Sequence, residues 1–269
     1  MAVSGISLYA GAAIAVGLYD AVPPAIVAWL RISAAALLLL VLRRPRLREF
    51  GGRSGLNAAV YGLATMGMNM AFYLAIASIP LGTAVAVEFF GPVAVAALGS
   101  RSLRDWVALT LALVGVLVIS GATWSDNGGG ILWALAAGAL WAGYIVTGAR
   151  IATGKSARNG TAVGFTWAAV AAAPVVLATW PSGVVGTQIG AGELVLLCLG
   201  LGLLSAAVPY SLDQVVMRMA GASHFALLQA ILPVVATVLG AVALGQMLTG
   251  AEIIGVVLIV VAVALRRPS

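Results

Sequence analysis

The chain has 269 residues, of which 62% are hydrophobic and only 8% are charged, and its mean hydropathy is +1.12. Soluble domains carry about 25% charged residues, so the composition excludes a soluble globular protein and indicates a polytopic membrane protein. The net charge of +6 does not indicate a nucleic-acid partner, because the basic residues lie in short loops between apolar segments. The single cysteine, Cys198, excludes a disulfide framework and a cysteine-based metal site.

Apolar segments separated by charged or turn-forming residues predict an all-α membrane protein with ten transmembrane helices. A helix of about 20 apolar residues crosses the hydrocarbon core of a bilayer, and the linkers here are too short to form an extramembrane domain. No Lys or Arg precedes the first segment, so it is predicted to be a membrane helix rather than a signal peptide. The ten spans are residues 3–20, 24–42, 55–77, 80–99, 105–121, 129–148, 160–180, 192–212, 223–243 and 250–265.

The charges in the loops predict the orientation of these spans. Every Lys and Arg except Arg31 follows an even-numbered span, whereas the opposite loops contain acidic residues and no basic ones. Cytoplasmic loops are enriched in Lys and Arg, so both termini are predicted to be cytoplasmic. The basic loop residues are Arg43, Arg44, Arg46, Arg48, Arg53, Arg101, Arg104, Arg150, Lys155, Arg158, Arg218, Arg266 and Arg267.

A weak internal similarity predicts that the chain is a duplication. Tyr73 lies 19 residues before Pro92, and Tyr210 lies 23 residues before Pro233, in segments of similar character. Spans 1–5 (residues 1–121) would then match spans 6–10 (residues 129–269). Because five is odd, the second copy enters the membrane from the other side and the repeat is inverted. Transporters with such repeats bind substrate at the repeat interface near the membrane midplane.

Three polar residues from three spans are predicted to lie at one depth. At ~1.5 Å per helical residue, Arg31, Glu88 and Asn69 are each about 9–12 Å from the outer edge of the hydrocarbon core. Two interpretations remain open. In one, Arg31 and Glu88 form a structural ion pair that Asn69 completes. In the other, the three line a substrate cavity in which Glu88 binds a proton, Arg31 binds a carboxylate and Glu88 can also accept an ammonium group.

Three further residues are candidates for the same substrate pathway. Tyr73 and Tyr210 fall inside predicted spans and would present hydroxyl groups to a cavity, although packing roles suit them equally well. Gln229 aligns with Glu88 when Pro92 and Pro233 are superimposed, so it is the predicted polar contact from the second half.

A nucleotide site is not predicted, although residues 149–156 read ARIATGKS. A phosphate-binding loop needs a strand before it and a helix after it, and this stretch is a short loop between two membrane spans. The pattern also begins with Ala149 where it requires glycine. No set of His, Cys, Asp and Glu has metal-ligand spacing, and no Ser-His-acid arrangement is present, so neither a cofactor nor an enzyme activity is predicted.

Several segments resemble the EamA family of the drug/metabolite transporter superfamily, and more narrowly its bacterial threonine/homoserine exporter subgroup. They read RPRLREF after span 2, IPLGTAVAVEFFGP in span 4, WAGYIVTGAR at the end of span 6 and PYSLDQVVMR at the end of span 8. The resemblance implies a plasma-membrane exporter of small neutral amino acids that exchanges substrate for protons by alternating access.

Two positions depart from the family pattern. Leu232-Pro233 stands where the family usually has Glu-Pro, and Gly245-Gln246 stands where it usually has Gly-Glu. With these carboxylates absent from the second half, Glu88 is the best remaining candidate for proton coupling.

The predicted function is therefore proton-coupled export of small neutral amino acids, with a small-molecule substrate and the lipid bilayer as partners. Export of another metabolite or a drug-like compound is the alternative within transport. A membrane-embedded enzyme or a non-transporting membrane protein is the alternative from another class. The sequence leaves open whether the chain acts alone or as a homodimer.

Overall fold

The computed structural model describes residues 1–8, 22–79, 81–120, 127–154, 157–181, 190–235, 238 and 249–265. Within these ranges the chain forms helices joined by short connections, with no β-strand. The helices are α1 (residues 2–8), α2 (Pro24–Arg43), α3 (Gly52–Ile76), α4a (Leu81–Glu88), α4b (Phe90–Leu98), α5 (Leu103–Ser120), α6 (Gly128–Thr153), α7 (Gly160–Ala178), α8a (Ala191–Gly202), α8b (Val208–Leu228), α9 (residues 231–235) and α10 (Gly250–Leu265). A 3-10 turn (Leu47–Phe50) precedes α3, and a π turn (Leu203–Ala207) joins α8a to α8b.

Five helical stretches in the described part of the chain are long and apolar enough to cross a membrane: Ala25–Arg43, Gly52–Ile76, Gly128–Thr153, Gly160–Ala178 and Gly192–Leu228. They correspond to predicted spans 2, 3, 6, 7 and 8, so the all-α class is confirmed. Most of span 1, the second half of span 9 and Gln246 lie outside the described residues. The count of ten spans therefore stays a prediction.

Span 4 is a broken helix. Phe89 interrupts it between α4a and α4b, although its own backbone stays close to helical (φ −64°, ψ −16°). Pro92 has no backbone N–H to donate to the carbonyl of Glu88. Gly138 of α6 packs directly against this part of α4a, since a Cβ there would lie 2.7 Å from the Glu88 carbonyl oxygen. The break therefore fixes Glu88 against α6.

The helix of span 8 continues beyond the predicted end at residue 212. The helix continues through Asp213, and the only break in α8b is at Gly221, whose φ of 73° is in the left-handed region that glycine adopts readily. The polar residues after 212 do not end the helix because they are buried against protein; Asp213 and Gln214 are 6% and 5% exposed. A carboxylate predicted at the membrane edge thus lies inside a spanning helix.

Glycine contacts bring the helices together at the interface between the two predicted halves. α3 packs along α6 and α7, and α2 packs on α7, α8a and α3. Gly115 of α5 and Gly255 of α10 make a reciprocal contact, in which a Cβ on either one would lie 2.9 Å from the carbonyl oxygen of the other. Small residues at such crossings allow close backbone approach.

Gly62 of α3 should not tolerate even a methyl group. A Cβ there would overlap the backbone carbonyl of Gly164 in α7, which cannot move as a flexible side chain does. We expect Gly62→Ala to cost about 1–3 kcal/mol and to lower the Tm of the purified protein. Gly143→Ala is the matched control, because its Cβ would meet only the Ala64 methyl at 3.8 Å. Equal Tm values for the two variants would contradict this packing.

Candidate functional site

A hydrogen-bonded chain joins three of the predicted site residues. Arg31 of α2 is 7% exposed, and its Nη2 donates to Oδ1 of Asn69 in α3. Asn69 Nδ2 donates to the Thr65 carbonyl oxygen at 2.7 Å and to the Tyr210 hydroxyl of α8b at 3.3 Å. Tyr73 lies on α3 about one turn after Asn69. The structure therefore joins Arg31, Asn69 and Tyr210, with Tyr73 one turn further along α3.

The expected ion pair between Arg31 and Glu88 is not formed. α2 packs on α3, α7 and α8a, whereas α4a packs mainly on α5 and α6. A shared depth therefore did not bring the two side chains to the same side of the bundle. Among the described residues, no acidic side chain pairs with Arg31, and its buried Nε has no hydrogen-bond partner. A guanidinium with only neutral partners and a free N–H is suited to receive an anionic group.

Glu88 and Gln229 are not part of this hydrogen-bonded chain. The Glu88 carboxylate makes no hydrogen bond or ion pair with any described residue, and it is partly exposed. Gln229 is 2% exposed, and its Oε1 is a buried acceptor without a partner. Each therefore keeps unused hydrogen-bonding capacity in the interior, where an unpaired polar group is costly.

Asp213 is a buried acid that the sequence reasoning missed. Its Oδ1 accepts from the Ser4 hydroxyl of α1 at 2.8 Å, and its Oδ2 accepts from the Tyr144 hydroxyl of α6 at 2.8 Å. Placing the end of span 8 at residue 212 left this carboxylate outside the membrane. The signal that could have revealed it is the apolar sequence that resumes directly after Gln214.

An aromatic cluster lies beside the Arg31 chain. Tyr210 makes edge-to-face contacts with Tyr144 and Phe165, at ring-centroid distances of 5.5 and 5.3 Å. Tyr61 stacks on Phe165 at 6.1 Å. Tyr61 precedes Asn69 by eight residues, or about 12 Å along α3, so the cluster lies between the Arg31 chain and the N-terminal end of α3. The cluster is buried. Its members are Tyr61, Tyr144, Phe165, Tyr210 and Phe225.

We call this end of the molecule, where α2 and α6 finish and α3 and α7 begin, the basic end. Arg43 donates there to the Arg158 carbonyl oxygen and to the Ser211 hydroxyl. Asn159 Nδ2 donates to both carboxylate oxygens of Glu49, at 3.1 and 2.8 Å. A small cleft of about 40 Å³ opens beside these contacts, and its polar lining residues are Glu49, Ser54, Asn57 and Arg150.

The contact between Glu49 and Asn159 should stabilise the protein in a pH-dependent way. Hydrogen bonds from the Arg46 backbone N–H and the Asn159 amide hold the pKa of Glu49 below its usual 4.5. A lowered pKa in the folded state means that this stabilisation is present above pH 4.5 and disappears as pH falls further. We therefore expect Glu49→Gln to lower Tm at neutral pH and to match wild type at about pH 3. A Tm difference that persists at low pH would contradict this assignment.

The described residues contain no group of three or more His, Cys, Asp or Glu side chains that could hold a metal ion. The polar side chains near Arg31 are amide and hydroxyl groups, which bind and orient organic substrates. This arrangement therefore suits recognition of a small molecule that carries a negative group.

Comparison with known proteins gives three kinds of match. Residues 128–266 match the model of the EamA-like transporter family. Two curated relatives are each called threonine/homoserine exporter RhtA. The one from Salmonella typhimurium strain LT2 is 36% identical over 262 residues, and the one from Escherichia coli K12 is 33% identical over 261 residues. Each alignment covers 95% of this chain and 86% of the relative.

A crystal structure of another protein superposes on the model with a TM-score of 0.75. The match covers 98% of this chain and 94% of that one, at 20% sequence identity. At this identity the likeness shows a shared fold alone.

Proposed function

Since the chain belongs to the EamA-like transporter family, we propose that it exports small neutral amino acids of the threonine and homoserine type across the bacterial plasma membrane. Membership of a transporter family makes the chain a transport protein and not an enzyme. The observation that carries the choice of substrate is the identity of 33–36%, over 95% of the chain, to relatives named as threonine/homoserine exporters.

The proposed substrate site is a cavity that the side chains around Arg31 would line. The free Nε and the guanidinium plane of Arg31 would bind the substrate carboxylate through charge-assisted hydrogen bonds. Asn69, Tyr73 and Tyr210 would surround the substrate with amide and hydroxyl groups. Gln229 would contribute from the second half, since its unpaired Oε1 is an acceptor suited to an ammonium group.

Transport would proceed by alternating access of ten spans arranged as an inverted repeat, with residues 1–121 and 129–269 as the two halves. The reciprocal contact of Gly115 and Gly255 supports this arrangement, because a two-fold relation between α5 and α10 would produce it. The basic loops support a cytoplasmic location for both termini and for the basic end. In this orientation the aromatic cluster lies on the cytoplasmic side of the proposed cavity.

Glu88 is the proposed site of proton coupling. It is an intramembrane carboxylate that makes no ion pair with the described residues. Binding a proton would neutralise its negative charge inside the bilayer. Partial exposure would allow it to exchange protons with water.

Expression in Escherichia coli lacking its own RhtA tests the proposal. We expect the chain to lower intracellular threonine and homoserine and to raise both outside the cell, whereas a chain with Arg31→Gln should not. A panel of drug-like compounds serves as the alternative substrate class. Unchanged threonine and homoserine together with reduced accumulation of a panel compound would overturn the proposed substrate and favour the drug-like class.

A further inference from the structure

Two intramembrane acids contact the same helix at different heights. The backbone of Glu88 packs against Gly138 of α6, and the carboxylate of Asp213 accepts from Tyr144 of the same helix. Gly138 and Tyr144 are six residues apart, or about 9 Å along the helix axis. Of the two acids, Asp213 contacts α6 nearer to the basic end.

Among the described residues, the groups around Asp213 include one cation, the amino group of Met1, and no basic side chain. The titratable groups that face it are Tyr144 of α6, Tyr61 of α3, Tyr210 of its own helix and the amino group of Met1. α4b and the π turn, which also pack on α8b, contain no titratable residue. On α2, Arg43 binds Ser211 and the Arg158 carbonyl oxygen instead.

A group of unpaired polar atoms lies between Asp213 and the cleft at the basic end. The Tyr61 hydroxyl, the Thr161 hydroxyl and the Gln214 amide oxygen are all buried and have no hydrogen-bond partner. Tyr61 interacts with both Thr161 and Gln214, so the three groups lie side by side. Water is the usual partner of buried polar groups that lack a well-aligned protein partner. Thr161 is 1% exposed and follows Gly160, which lines the cleft.

We propose that Asp213 is a second proton-binding site, which exchanges protons with the cleft at the basic end through water held by Tyr61, Thr161 and Gln214. This inference rests on the proposed function as a proton-coupled exporter and adds an inner site to Glu88. The step is the binding of one proton from water by the carboxylate to form a carboxylic acid, and its return to water; no other bond changes.

Proton binding at Asp213 would change the packing of three helices. The ionised carboxylate accepts one hydrogen bond at each oxygen, from Ser4 of α1 and from Tyr144 of α6. A protonated carboxyl group is itself a donor at one oxygen and a weaker acceptor, so one of these contacts must weaken or reverse. The protonation state of Asp213 is thereby linked to the hydrogen bonds that join α1 and α6 to α8b.

The test compares export with and without a pH gradient in proteoliposomes. We expect a gradient of one pH unit, which is a tenfold ratio in proton activity, to stimulate wild-type flux about tenfold. In Asp213→Asn the flux with the gradient should equal the flux without it. Tyr144→Phe and Ser4→Ala each remove a donor to the ionised carboxylate, which makes proton release harder. The pH of half-maximal export should then rise by about 0.5–1 unit in both variants.

Ser205→Ala is the matched control, because it removes a buried hydroxyl that bonds only to Leu201 in its own helix. Its pH profile should equal that of wild type. Full stimulation in Asp213→Asn, or unshifted profiles in both Tyr144→Phe and Ser4→Ala, would overturn the proposal.

A second readout does not depend on the substrate. Infrared difference spectra across a pH titration should show the carbonyl stretch of a protonated carboxylic acid in wild type and in Glu88→Gln, and lose one such component in Asp213→Asn. Spectra of Asp213→Asn identical to those of wild type would overturn the proton site. If wild type transports no amino acid but the component is lost in Asp213→Asn, the proposed substrate fails and the proton site stands.

Discussion

Arg31→Gln is expected to lower kcat/KM for threonine by about 10- to 100-fold, because a hydrogen bond to a charged group contributes about 1.5–3 kcal/mol. The guanidinium is buried, its Nε is free, and its bound partner, Asn69, is neutral. The positive charge is therefore available to a substrate carboxylate. The measurement is the initial rate of threonine transport in proteoliposomes as a function of concentration.

A ligand without the carboxylate distinguishes a role of Arg31 in substrate recognition from a role in folding. Threoninol, in which an alcohol replaces the carboxylate, should be transported poorly by wild type and equally poorly by Arg31→Gln. Arg31→Lys keeps the charge and loses the planar fork, so it should fall between wild type and Arg31→Gln for threonine. If Arg31→Gln reduced threonine and threoninol transport by the same factor, Arg31 would have a structural role and the proposed site would be wrong.

Glu88→Gln is expected to abolish the stimulation of export by a pH gradient. The amide has nearly the shape of the carboxyl group but cannot bind and release a proton in the physiological range. Because the described residues offer Glu88 no hydrogen bond or ion pair, the substitution breaks no described contact. The measurement is threonine flux in vesicles with equal pH on both sides and with an imposed gradient.

Glu193→Gln is the matched control for this substitution. Glu193 lies in the first turn of α8a and is exposed, so it is expected to be irrelevant to coupling. Its response to the gradient should equal that of wild type. Undiminished stimulation in Glu88→Gln would remove Glu88 from the coupling mechanism.

Counting residues along the helices predicted well how deep a side chain lies in the membrane. It predicted poorly which neighbouring helix that side chain faces. Arg31 and Asn69 were expected at one level, and they are hydrogen-bonded. Arg31 and Glu88 were expected at the same level, yet α2 packs mainly on α7 and α8a whereas α4a packs mainly on α6 and α5, although both also contact α3. Rise per residue follows from helix geometry alone, whereas the side of the bundle that a residue faces is determined by how all the helices pack. The ion-pair prediction failed for that reason.

Hydropathy indicates that the helix can continue past Asp213, but it does not indicate which groups satisfy the carboxylate. Inside a bundle, a polar residue can continue a helix when protein groups satisfy it, as Ser4 and Tyr144 do for Asp213. Those partners are 209 and 69 residues away along the chain. Local sequence contains no information about contacts at such distances.

Counterflow in proteoliposomes tests the central claim, export of small neutral amino acids, most directly. Vesicles containing the purified protein and loaded with unlabelled threonine are diluted into a trace of radiolabelled threonine at equal pH on both sides. We expect transient accumulation of label, which homoserine competes away and which does not occur in empty vesicles or with Arg31→Gln. Wild-type protein that accumulates no label from threonine, homoserine or any other small neutral amino acid would contradict the proposed function.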